Sequence, residues 1–462
     1  MNASDILKDD KRSSRTSTSD LANSQHKSAG NLHRSLKGSL GSLHALDRRA
    51  MLGNGSNGSV LSEWNYVLGQ PASSSGAPSV IERASMSGYS YATKKTGRGN
   101  NVFREPTFQG IFRPKFIKRE TSEVYCVKFS PDDEYLAAGL GSSAVQIYST
   151  TSNEMVRTLE PPPETGQDLF PCTTVTFRPD LKTFRNKNIL VAGFADGRII
   201  HWHYTSGQLI SSISEPSVQI NCVAYQNIGL SNDQPAGICN YFASAASDSF
   251  VRIYDAQTHA KILEMNRGQG TDAAGHSSRV FSVKFHPSDT NMLISGGWDN
   301  TIQFWDIRVG HSVRAIYGPH ICGTDALDIS PDGSLILAAS FAKSDQLQTY
   351  DYATGRLVDT LAWSVMDGER RCSLLYSGSF GRRAAGSNGG GVVVAGGCGA
   401  FNEVKMFSLA TGRAVGVAHG FTHSVYSVAL SNNERMVAVG GAFKSVYGYD
   451  IDQHAQTTDI VY

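Results

Sequence analysis

No apolar run in this 462-residue chain approaches the ~20 residues that cross a bilayer as a helix. Its first dozen residues, MNASDILKDDKR, lack the apolar segment of a secretory leader. Neither membrane insertion nor secretion is expected. Seven cysteines are scattered with no Cys-x-x-Cys pair and no paired His spacing, which argues against a structural zinc site and a disulfide framework. Reduced thiols in a cytoplasmic protein fit better, with a nuclear or cytoskeletal location left open. A GxxxxGK phosphate loop, a GxSxG elbow and an HExxH helix are all missing. No catalytic, cofactor-binding or metal-binding residue is therefore assigned, and the chain reads as a non-enzyme with no cofactor. Charged residues make up only 18%, below the roughly 25% of ordinary domains.

What is abundant is glycine, 46 residues, and short strand-like runs. Charge is distributed unevenly. Through residue 119 there are 18 Lys/Arg against 8 Asp/Glu, leaving 24 against 33, so a net charge of +1 hides segments of +10 and −9. Residues 1–105 contain 20 Ser and few aromatics, too little apolar surface to offset the entropy of ordering. They read as a disordered basic tail. Within it Leu32, Leu36, Leu40, Leu43 and Leu46 alternate with basic residues, so 31–52 carries the pattern of an amphipathic helix for an acidic partner or polyanion.

From about residue 121 to 452 one unit recurs. Each begins with an alternating strand such as VYCVKFSPDD or VFSVKFHPSD, continues with an Ala/Gly-rich run such as YLAAGL or MLISGG, and then reaches a third strand. That strand ends on an aromatic: Tyr148, Trp202, Tyr254, Trp305, Tyr350, Phe407 or Tyr449. Five residues after the first six stand Asn153, Gly207, His259, Gly310, Gly355 and Gly412. These residue types tolerate positive φ, so the same tight turn is expected six times.

Seven such units, each with a shorter fourth strand, resemble the seven-bladed WD40 β-propeller, an all-β fold. Residues 275–308 carry the resemblance best, with Gly-His, a turn Asp and Trp-Asp. It implies a structural tetrad of His276, Ser295, Asp299 and Trp305. A propeller must close its ring, and the segment 108–117 is the expected closing strand, with the terminal TTDIVY as the alternative. Turns between second and third strands share one face and contain Phe194, Trp298, Phe341, Phe401 and Phe443, which are candidate protein-binding anchors. Trp305-Asp306-Ile307-Arg308 is similar to the WDxR motif of propeller receptors in cullin–RING ubiquitin ligases, making Asp306 and Arg308 candidate adaptor contacts. The expected function is a scaffold for other proteins, within a multiprotein complex. A ligase substrate receptor and an RNA- or microtubule-associated propeller are the alternatives.

Overall fold

A computed structural model describes residues 106–162, 169–179, 188–227, 239–267, 274–363, 373–383, 391–399 and 402–452. The basic tail with its 31–52 pattern, Phe401 and the TTDIVY segment lie outside the described residues. No helix among the described residues is long and apolar enough to cross a membrane.

Six positions fix the turns. Asn153, Gly207, His259, Gly310, Gly355 and Gly412 all adopt positive φ, between 58° and 78°. Each therefore reverses the chain between a third and a fourth strand, and the repeats become seven antiparallel sheets. The first strands, which line the axis, are Val124–Phe129, Cys172–Phe177, Ile220–Tyr225, Val280–Phe285, Leu327–Ile329, Ser373–Phe380 and Val425–Leu430.

The Ala/Gly-rich second strands are explained by blade-to-blade contact. At one equivalent position stand Gly139, Gly193, Gly296, Gly396 and Gly440, and a Cβ there would lie 2.5–2.8 Å from the nearest side chain. At Gly193, Gly396 and Gly440 that side chain belongs to the next blade's first strand, as Ile220, Val428 and Val124. Larger residues would push the blades apart. The resulting core runs through the seams, as where Cys222, Ala243 and Ile253 of blade three pack with Val280, Leu293 and Trp305 of blade four.

The ring is closed from its N-terminal side. Phe112–Arg119 is the outer strand of blade seven, paired antiparallel with Ser445–Ile451. The residues just before it do something the sequence did not suggest: Thr107–Gly110 adds a fifth strand to blade six, along Arg413–His419. Gly110, at φ 72°, makes the break between these two strands.

Blade five departs from the pattern. Its first strand keeps only Leu327–Ile329, and the preceding Gly323–Asp325 turns into the axis. There Asp325 forms a parallel bridge with Ser377 of blade six, and its carbonyl accepts from Gly378 N at 2.8 Å. The Thr324 carbonyl accepts from Ser282 Oγ at 2.9 Å and Cys222 Sγ at 3.3 Å. Lys128 and Lys284 reach Asp325 at 2.6 and 3.3 Å. Burial opposes charge on Asp325, yet these two ammonium groups hold its carboxyl below the usual range. Groups from blades one, three, four and six thus clamp the inserted segment, and it obstructs the axial channel.

Candidate functional site

Blade four contains a continuous hydrogen-bond chain. Trp305 Nε1 donates to Ser295 Oγ at 2.7 Å, Ser295 meets His276 Nε2 at 2.7 Å, and His276 Nδ1 meets Asp299 Oδ2 at 2.8 Å. His276, Ser295 and Trp305 are buried. Burial works against the charge of Asp299, but its bonds from His276, Ser277 N and Thr301 lower its pKa. Every polar atom of this chain has a structural partner, which ties the loop before strand one to strands two and three.

Other blades solve the same problem with a carboxylate, which the sequence reading missed. In blade one Tyr148 donates to Glu120. In blade three Tyr254 donates to Glu215 at 3.1 Å and lies 3.3 Å from Ser244. In blade six Trp363 and Ser373 both donate to Glu403, at 2.6 and 3.0 Å. A usable signal was present for the first two: an acidic residue four or five positions before strand one, with Tyr in the Trp position.

The face above these chains is built by a repeated irregularity. In six blades the register of strand one shifts by one residue, after its first residue in five, as between Val124 and Cys126 and between Val280 and Ser282, and after its third in blade six, between Leu375 and Ser377. The skipped residues are Tyr125, Thr173, Asn221, Phe281, Tyr376 and Tyr426. A bulge re-aims the side chain it displaces, and these six line a concavity at the mouth of the axis together with Cys322, Gly323 and Thr324. Tyr125 stacks on Tyr426 at 5.7 Å, and Tyr376 meets Tyr426 edge-on at 5.8 Å. Burial raises the Tyr125 and Tyr376 hydroxyl pKa values above the ordinary range, so both stay neutral. Asn221 Oδ1 and Thr324 Oγ1 have no hydrogen-bond partner among the described residues. Blade five's insertion gives this mouth its floor.

Two of the expected anchors join the mouth. Trp298 is half-buried, with Nε1 3.1 Å from Cys322 Sγ, its ring 5.4 Å from Phe281 and the Arg279 guanidinium 5.6 Å over it. Phe341, also half-buried, lies 5.0 Å from Tyr376. Phe194 and Phe443 must be corrected. Phe194 is fully buried against Trp202 in the seam between blades one and two, and Phe443 is buried against Phe421 and Tyr447. Both are core, because the turns carrying them fold inward over a seam. Phe401 lies outside the described residues.

Asp306 and Arg308 sit at the end of blade four's third strand, on the opposite face. Asp306 is buried and takes Arg308 Nη2 at 2.6 Å and Arg308 N at 2.9 Å, while the Arg308 side chain is 66% exposed. The guanidinium folds back on its own neighbour, and this pairing lowers the Asp306 pKa.

Comparison with known proteins agrees with this geometry. The family model "WD domain, G-beta repeat" matches residues 114–149 and 271–306, the first covering the closing strand and blade one, the second blade four. The U3 small nucleolar RNA-associated protein 21 homolog of Schizosaccharomyces pombe is 32% identical over 149 residues, 32% of this chain and 14% of that protein. WD repeat-containing protein slp1 of the same yeast is 24% identical over 283 residues, covering 54% and 51%. A guanine nucleotide-binding protein subunit beta of Nicotiana tabacum is 25% identical over 259 residues, covering 54% and 60%. The similarity thus spans less than two thirds of each relative's length. With two matched repeats, seven antiparallel sheets, six of four strands and one of five, and the His–Ser–Trp–Asp chain of blade four, this protein carries WD40 repeats and folds as a seven-bladed WD40-type β-propeller.

Proposed function

We propose that this protein is a non-catalytic scaffold that holds a peptide or domain of another protein on the face carrying the axial mouth, within a multiprotein complex. The observation that carries this reading is the continuity of half-buried Trp298 and Phe341 with the aromatic ring of Tyr125, Phe281, Tyr376 and Tyr426. Such rigid aromatic groups anchor protein interfaces at low entropic cost. The names of the relatives, which describe G-protein, cell-division and small nucleolar RNA-associated proteins, support a role in assemblies. Affinity purification of wild type beside Trp298→Ala and the Trp298→Ala/Phe341→Ala pair tests it. Partners should be lost stepwise from variants that still melt cooperatively; a partner set unchanged in the double variant refutes the reading.

Exposure of Arg308 on the far face favours one second reading, a ubiquitin-ligase receptor that keeps the mouth free for substrate. Here Arg308→Ala should remove a co-purifying ligase adaptor; no adaptor in mild lysates of wild type rejects it. For the basic first segment the proposed contact is an acidic protein surface or RNA, whose binding by residues 1–105 should weaken steeply with salt.

A further inference from the structure

We propose that the outer strand of blade two, Gln208–Ser214, is a self-pairing edge that joins two copies of this protein about a two-fold axis. This goes beyond the scaffold reading, because the edge lies on the rim and not at the mouth.

Every outer strand here has a one-residue bulge near its start, at its second to fourth residue. Val156, Ile210, Ile262, Val313, Val358 and Val415 are skipped in the register of blades one to six, and Lys115 is skipped in blade seven. Blade six shows what such an edge accepts. Thr107–Gly110 pairs with the residues following the bulge, Gly416–His419, and Ile111 N donates to the Val415 carbonyl at 3.1 Å. Blade seven is guarded by Pro114, Lys115 and Lys118.

In blades one, three, four and five the equivalent stretch after the bulge contains Arg157, Glu264, Arg314 and Asp359. A charged side chain on an exposed edge guards it against pairing, as the Lys and Pro residues do in blade seven. Blade two alone offers Ser211-Ser212-Ile213-Ser214, with no charge and no proline. A two-fold sets Ser211 opposite the second copy's Ser214 and Ser212 opposite its Ile213, so nothing repels. Exposed Leu209 and Ile210, 40% and 39% accessible, flank that seam. An isologous pair is the common closed arrangement.

Four paired residues bury far less than the ~1,200 Å² of a stable interface, so dissociation should be on the order of 100 µM. Sedimentation velocity of the full chain from about 5 to 500 µM reads this directly. The weight-average mass should rise toward a dimer, and Ser212→Lys should weaken association by about tenfold or more. Thr158→Lys, at the equivalent place in blade one, should leave it unchanged. A constant monomer mass overturns the proposal, as does wild-type association in Ser212→Lys or equal loss in Thr158→Lys.

Discussion

Removing one ring from the closing strand should cost far more than removing one from the strand beside it. Phe112 is 0% exposed, 5.7 Å from Tyr449, and packs in the core shared by blades six and seven. Phe108, four residues earlier on the fifth strand of blade six, is 41% exposed. Phe→Ala in a packed core costs about 3–5 kcal/mol through lost transfer energy and the cavity left behind. For a propeller of this size the unfolding entropy, at about 2.1 cal/mol/K per residue, is roughly 0.7 kcal/mol/K. Phe112→Ala should therefore lower Tm by about 4–7 °C. Phe108→Ala loses only a partly wet contact at an edge, about 1 kcal/mol or less, and should shift Tm by no more than about 1–2 °C. Differential scanning fluorimetry at one protein concentration separates the two. Equal small shifts would mean that Phe112–Arg119 is not integral to the ring, and the account of closure would fail.

Three further outcomes follow from particular contacts. Ser295→Ala strands the Trp305 indole N–H and His276 Nε2 in a buried place, which should cost about 1–3 kcal/mol in urea unfolding; a neutral result would deny the tetrad a structural role. Gly323→Ala puts a Cβ 1.7 Å from the Tyr376 carbonyl oxygen, so the inserted segment must shift and stability should fall by about 1–3 kcal/mol, whereas an unchanged Tm would refute the tight axial packing. His201 is fully buried, ring-stacked on His259 at 4.1 Å with Ser211 between their Nδ1 atoms, and its pKa is lowered by burial first and then by His259 and Arg178. The unfolded chain then binds the proton more readily. Its contribution to stability is complete above about pH 6.5 and declines as pH falls from there toward the lower folded pKa. Tm measured between pH 7.5 and 5.5 should drop less in His201→Gln than in wild type, and parallel curves would contradict this.

The repeat was legible because its demands are local. A third strand ending in an aromatic, then a residue that accepts positive φ five positions on, can be read directly, and all six such turns formed. Trp298 was legible as an aromatic on the right turn. Phe194 and Phe443 looked the same by that criterion, yet they point into seams, and only the neighbouring blade's position decides which way such a turn faces. The mouth residues Tyr125, Phe281, Tyr376 and Tyr426 were hidden because a strand's alternation says nothing of a one-residue bulge. Glu120 and Glu215 left a local signal, an acidic residue just before strand one of a blade with Tyr in the Trp position, but their partners Tyr148 and Tyr254 stand 28 and 39 residues away.

By itself the sequence determined the strand period, the turn geometry and the small residues at crowded positions, since each is a conformational or steric demand made within one repeat, while the tetrad of blade four was implied by the family resemblance. The sequence also pointed to 108–117 as the closing strand, but its bounds as Phe112–Arg119, the fifth strand on blade six and the plugging of the axis by Gly323–Asp325 were decided only by tertiary structure. They join residues up to 339 positions apart, as Arg113 and Asp452, and such contacts depend on how every intervening blade has packed.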